Sequence, residues 1–295
     1  MSIYTQLKGT GVAIVTPFTK TGAVDFAGLS KLVNHLIKGK VEYLVVLGTT
    51  GETATLSKEE KQQVVNHVIK ETKKRVPLVL GIGGNNTQEV IDTIKHTDLA
   101  AFAAILSVSP YYNKPSQQGI YLHYKAIAQS TTKPIILYNV PGRTGSNMTA
   151  DTTLKLAHDF KNIVAIKEAS GNLEQCMSII KNRPKNFLVI SGDDNLTLPL
   201  LACGADGVIS VLANVYPKDF SDMVRSGLKG DYITARKLHY KTFEVTNQLF
   251  ADGNPGGAKV ALELLKVCSS TVRLPLVKPN EGVQQKLKKL VAAYK

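Results

Sequence analysis

Eight short runs rich in β-branched residues recur along the chain with helix-patterned segments between them, and that alternation limits the possible fold more than any other feature. The runs are "GVAIVTP" from Gly11, "YLVVLG" from Tyr43, "PLVLGIG" from Pro77, "AAILSVSP" from Ala103, "PIILYN" from Pro134, "IVAIK" from Ile163, "FLVISG" from Phe187 and "GVISV" from Gly207. They start about 20 to 34 residues apart. Between them the apolar residues take a helical period: Leu29, Leu32, Val33, Leu36 and Ile37 follow the i, i+3, i+4, i+7, i+8 rule. Ser57 and Glu60 form an S-x-x-E capping box ahead of Val64, Val65, Val68 and Ile69. Continuously apolar strands alternating with amphipathic helices belong to a parallel sheet covered on its outer face. Eight such units predict a closed α/β fold, a (β/α)8 TIM barrel over residues 1–216, and the strand-free remainder, 217–295, predicts a C-terminal helical region.

At 295 residues the chain could also hold two average domains, but α/β barrels use comparable lengths as one unit. The start "MSIYTQLKGT" lacks the basic residues and apolar core of a secretion signal, and no uncharged apolar run reaches the roughly 18 residues that span a bilayer, so a cytoplasmic protein is expected. Cys176, Cys203 and Cys268 are widely spaced, which fits neither a disulfide framework nor a zinc site. The histidines are scattered over helix-patterned segments, as His35 in "LVNHLIK" and His67 in "VVNHVIK", with no HExxH or other tight ligand cluster. A formal charge of +13 raises the question of a polyanionic partner, yet Lys and Arg are spread over the whole length and no basic stripe interleaves with aromatics. The charge reads as a solvated surface able to steer small anionic substrates inward. No metal, cofactor, nucleic acid or membrane is expected as a partner.

In such barrels chemistry sits where the C-terminal ends of the strands converge. Strand six ends in "NIVAIKEASG", on Lys167 followed by Glu168. A lysine at a strand end is commonly just solvated, but one held at the mouth of a buried site can attack a carbonyl as the free amine. Strand two ends in "GTTGE", whose glycines let backbone N–H groups approach a carboxylate while Thr49 and Thr50 donate to it or pass a proton. Strand four leads into "SPYYNKPS", where Tyr111 and Tyr112 suit an interface, a site wall or a packed loop. Strand five ends at Tyr138, a possible proton shuttle, with Arg143 in the following loop able to grip a carboxylate with two prongs. Strand seven gives "SGDDN", whose Asp193 and Asp194 are expected to cap a helix, and strand eight supplies Ile209 as an apolar wall. "GIGGNN" at 81–86 fails as a dinucleotide loop, because Asn86 replaces the third glycine and no acidic ribose ligand follows. One amine, two phenols, two threonines and one arginine are the equipment for Schiff-base chemistry on a keto acid.

The ordered set "GVAIVTPF", "GTTGE", "PYYNKPS", "YNVPGRTG", "IKEASGN", "SGDD" and "GVISV" resembles the dihydrodipicolinate synthase family, within the N-acetylneuraminate lyase superfamily, over essentially the whole chain. The resemblance implies condensation of pyruvate with L-aspartate 4-semialdehyde, on the way to diaminopimelate and lysine. It implies that Lys167 forms the imine with pyruvate and that Tyr138 is the central proton-transfer residue. Thr49 and Tyr112 complete the relay, Tyr112 reaching in from a neighbouring subunit. It implies further that Thr50 binds the pyruvate carboxylate, that Ile209 lies against pyruvate through its backbone, and that Arg143 recognises the carboxylate of the semialdehyde. The implied assembly is a homotetramer, a dimer of tight dimers.

Two departures from the family pattern stand out. Where many members have an "NPIPVK"-like stretch this chain has "NPGGAK" at 254–259, which as part of the helical tail is expected to affect packing or assembly rather than chemistry. Thr53, Ala54, Asn85, Glu89 and Tyr111 match the site at which lysine inhibits sensitive members, but Lys58 and Lys61 stand where those members often carry histidines. Two fixed cations repel a cationic ligand, so lysine inhibition is expected to be weak or absent, and half-inhibition at micromolar to low-millimolar lysine would contradict this. Two alternatives are a superfamily lyase acting on N-acetylneuraminate or a 2-keto-3-deoxy sugar acid, and a catalytically dead barrel that binds polyanions.

Overall fold

The computed structural model describes residues 2–294. Its eight strands are β1 (Gly9–Ala13), β2 (Tyr43–Val46), β3 (Leu78–Gly81), β4 (Ala104–Val108), β5 (Ile135–Asn139), β6 (Ile163–Glu168), β7 (Leu188–Ser191) and β8 (Gly207–Ser210). All pair in parallel in chain order, and β8 pairs with β1 to close the barrel. A helix follows each strand: α1 (Phe26–Lys38), α2 (Lys58–Thr72), α3 (Thr87–His96), α4 (Gln117–Ser130), α5 (Ala150–Asp159), α6 (Leu173–Asn182), α7 (Thr197–Ala202) and α8 (Pro217–Leu228). The fold is the expected (β/α)8 barrel, followed by three further helices, α9 (Tyr232–Phe250), α10 (Gly256–Leu264) and α11 (Glu281–Ala293). The expected division at residues 216 and 217 passes between β8 and α8, a helix that packs against β1, β8 and α1. Among the described residues no helix is long and apolar enough to cross a membrane.

Local chemistry sets the helix starts. Asp25 Oδ1 accepts from Gly28 N at 2.9 Å and opens α1, whose Leu29, Leu32, Val33 and Leu36 are fully buried against the sheet. At α2 the capping box forms as its spacing predicts, Ser57 Oγ accepting from Glu60 N at 3.1 Å and Glu60 Oε2 from Ser57 N at 2.9 Å.

The strands are buried on both faces, so the apolar runs carry no visible alternation in sequence, yet successive side chains still point to opposite sides. Ala13, Tyr43, Val45, Val79, Ala104, Leu106, Ile136, Ala165, Leu188, Ile190 and Ile209 cluster as the barrel lumen. Val12, Leu44, Val46, Leu80, Ile105, Ile135, Leu137, Ile166 and Val189 belong to the larger layer between strands and helices. Close passage of the chain requires glycine at Gly11 and Gly81 among other positions: a Cβ on Gly11 would stand 2.2 Å from the Tyr43 ring, and one on Gly81 would stand 2.3 Å from Leu47 O.

Arg273, beyond α10, donates to both Glu60 oxygens, at 2.7 and 2.5 Å, tying the start of α2 to the tail. That contact holds the Glu60 carboxyl down at about 2, from an ordinary value of 4.5. A carboxylate with a lowered folded-state pKa contributes stability that is present above its unfolded value and lost as the pH falls through the folded one. The difference in urea stability between the native chain and Glu60→Gln should therefore be constant near neutrality and shrink steadily as the pH falls from 4.5 toward 2. A difference that does not change across that window would contradict the assignment.

Candidate active site

At the end of β6 the alternation of side chains separates two neighbours. Ala165 faces the lumen and Ile166 the helices, so Lys167 follows Ala165 inward while Glu168 follows Ile166 outward. Lys167 and Tyr138 are register partners on β6 and β5, each 6% exposed, and Lys167 Nζ stands 4.2 Å from the centroid of the Tyr138 ring. Ile209, fully buried on β8, belongs to the same luminal cluster as Tyr138. Gly192 leaves the lysine its space, since a Cβ there would lie 3.2 Å from Lys167 Cε and 2.6 Å from Ala169 Cβ.

On the outer side Glu168, 1% exposed, is held by neutral donors: Asn139 Nδ2 at 3.1 Å to both oxygens, Ser170 N at 2.8 Å and Gln175 Nε2 at 2.9 Å. Burial pushes its carboxyl up, against the pull of these hydrogen bonds. The same parity governs β5, where Tyr138 points inward and Asn139 outward to Glu168. At the rim, burial also pushes up the carboxyl of Asp193, which the charge of Lys167 opposes. Asp194 differs from the expected cap of its own helix. Its Oδ2 accepts from Val211 N at 3.1 Å and Leu212 N at 2.9 Å, so it caps the turn after β8 and fixes the loop beyond Ile209. Burial raises Asp194 to about 6.

The "GTTGE" segment holds a short 3-10 turn, Thr49–Gly51, and Glu52 joins it to a second, Thr53–Thr55. Thr49 is exposed at the rim, whereas Thr50 is 3% exposed and its Oγ1 accepts from Asn254 Nδ2 at 3.0 Å. Thr16 Oγ1 donates to Gly51 O at 2.7 Å. Glu52, in the left-handed region at φ 53°, has a side chain with no exposure. Its Oε1 meets Lys259 Nζ at 2.5 Å, and its Oε2 accepts from Arg273 N at 3.0 Å. Lys259 also donates to Thr271 O at 2.9 Å, lies 4.1 Å from the centroid of the Phe18 ring, and has its pKa lowered by burial against the pull of Glu52.

The remaining expected residues lie around the rim. Arg143 is exposed in the helical turn Pro141–Thr144 and takes part in no ion pair among the described residues. Tyr112 is 87% exposed with φ 73°, and within one chain no hydrogen bond or ring contact joins it to Tyr138. Tyr111, 41% exposed, accepts through its backbone O from Asn85 Nδ2 at 3.1 Å. Glu89 is exposed in the first turn of α3, Thr53 is half-buried, and of the two lysines nearby Lys58 is exposed and Lys61 half-buried.

A lysine and a tyrosine buried side by side in the lumen of a (β/α)8 barrel, with hydroxyl groups at the rim, define a Schiff-base-forming lyase of the class I aldolase type. Residues 6–294 match the Dihydrodipicolinate synthetase family. The chain is 53% identical over 279 residues to the 4-hydroxy-tetrahydrodipicolinate synthase of Flavobacterium psychrophilum, with 95% of each chain covered. Among solved structures it is similar to the chloride-inhibited dihydrodipicolinate synthase of Acinetobacter baumannii complexed with pyruvate, at 41% identity and a TM-score of 0.94, covering 97% of this chain and 98% of that one. It is similar also to the enzyme of Cyanidioschyzon merolae with lysine bound, at 39% identity and a TM-score of 0.94, covering 98% of both. The chain belongs to the Dihydrodipicolinate synthetase family.

Two residues that "NPGGAK" shares with the "NPIPVK"-like pattern, Asn254 and Lys259, reach Thr50 and Glu52 across 204 and 207 residues. The available signal was a single lysine in the otherwise small and apolar "GGAKVAL" and a single acid closing "GTTGE", two charges that burial would oblige to meet. Removing one partner strands the other charge in the interior, so Lys259→Met should cost about 3–5 kcal/mol of stability. The double change with Glu52→Gln should recover much of that loss in the same urea titration, and a single variant as stable as the native chain would contradict the pairing.

Proposed function

We propose that the protein condenses pyruvate with L-aspartate 4-semialdehyde through a Schiff base on Lys167. The observation that carries this reading is the juxtaposition of the Lys167 amine with Tyr138 in a lumen otherwise lined by apolar side chains. The free amine adds to the ketone carbon of pyruvate, and loss of water gives the iminium, which draws electrons from the neighbouring methyl group. That carbon releases a proton and, as the enamine, attacks the aldehyde of the second substrate, whose oxygen takes up a proton. The amine of the semialdehyde then attacks the iminium carbon, closing the ring and freeing Lys167. Each proton moves over a short distance, which suits a buried phenol at Tyr138 with Thr49 as the next hydroxyl toward the rim.

Thr50 is the donor for the pyruvate carboxylate, and Ile209 lies against pyruvate through its backbone. Arg143, exposed and without an acidic partner among the described residues, is the cation for the carboxylate of the semialdehyde. The exposure of Tyr111 and Tyr112 supports their burial against a second copy, with Tyr112 completing the relay of the neighbouring site in a homotetramer built as a dimer of dimers. Thr53, Asn85, Glu89 and Tyr111 form the candidate effector site for lysine, weakened by Lys58 and Lys61.

A coupled assay should detect product from pyruvate plus semialdehyde and no pyruvate from sialic acid; the reverse pattern would overturn the reading. In the same assay Arg143→Ala should raise the KM for semialdehyde about ten- to hundredfold, the loss of a charge-assisted contact, while leaving that for pyruvate near native.

A further inference from the structure

The condensation as proposed makes no use of Asn254. This residue is 8% exposed just beyond α9, its Nδ2 donates to Thr50 Oγ1 at 3.0 Å, and its Oδ1 is buried without a described partner. The turn that carries Thr50 does not need this bond for its position. It is tied at Gly51 by the Thr16 hydroxyl and at Glu52 by Lys259 and the Arg273 backbone. What Asn254 adds is direction. A carboxamide N–H can only donate, so Thr50 Oγ1 receives it with a lone pair and keeps its own proton to give elsewhere, whereas a carboxylate offers only acceptors.

We propose that Asn254 is a positioning residue for the first substrate: by donating to Thr50 Oγ1 it leaves that hydroxyl as an obligate donor to the pyruvate carboxylate. This rests on the reading of Thr50 given above. A hydroxyl free to rotate presents a lone pair to the anion part of the time. The amide removes that orientation before substrate arrives, so the site is set in advance. The unmatched Oδ1 fits this role, since the amide turns its donors toward Thr50 and its carbonyl gains nothing behind it.

Asn254→Asp replaces the donor with an acceptor of the same size, which captures the Thr50 proton. The KM for pyruvate should rise about tenfold or more, with a much smaller change in kcat and in the KM for semialdehyde. Asn254→Ala, which removes the donor without adding a charge, should shift the same constant in the same direction and serves if the aspartate variant does not fold. Thr50→Val should raise the pyruvate KM by itself, and the Thr50→Val, Asn254→Ala pair should be no worse than Thr50→Val alone, because both act through one hydroxyl. A native pyruvate KM in folded Asn254→Asp or Asn254→Ala, or a rise that adds to that of Thr50→Val, overturns the proposal and leaves the reading of Thr50 standing. A native KM in Thr50→Val, or no condensation by the unmodified protein, overturns the reading of the site and this inference with it.

Discussion

Successive side chains of a strand cannot share a face, and at the end of β6 this rule places an amine and a carboxylate, adjacent in sequence, on opposite sides of the barrel wall. Lys167 enters an apolar lumen beside Tyr138, while Glu168 enters the layer between strands and helices and is satisfied by Asn139, Ser170 and Gln175. The neighbouring strand repeats the division, with Tyr138 inward and Asn139 outward. The outer network therefore fixes the register of the two strand ends that carry the amine and the phenol. The alternation thus keeps the Glu168 carboxylate out of the lumen that holds the amine.

A second constraint ties the helical tail to the barrel mouth. The turn after β2 carries Glu52 with no exposed side chain, and the cation that makes this tolerable comes from α10. A buried pair of this kind stabilises little against an apolar alternative but penalises any arrangement that separates its members. It therefore specifies where α10 sits, and with it Asn254, which touches Thr50. The tail thus holds the turn after β2 as well as packing on the barrel.

Much of this was legible in the sequence because it is local. Eight apolar runs with helical segments between them imply the closed barrel, the S-x-x-E spacing at Ser57 implies the start of α2, and the strand ends nominate Lys167, Tyr138, Thr50 and Ile209. What escaped depends on distant partners. Nothing near Glu52 in sequence announces Lys259, and Asp194 caps a turn on the next strand rather than its own helix. Strands buried on both faces hide their alternation, so the opposite directions of Lys167 and Glu168 emerge only once the barrel is closed. Tyr112 is a different case, because within one chain it is 87% exposed and the role proposed for it requires a second copy.

The central claim is that the amine of Lys167 becomes covalently joined to pyruvate. Incubation with pyruvate, reduction with borohydride and mass mapping of the peptides tests it directly. The account predicts one reduced adduct, on the peptide carrying Lys167 and lost in Lys167→Ala; an adduct on another lysine, or none, would contradict it.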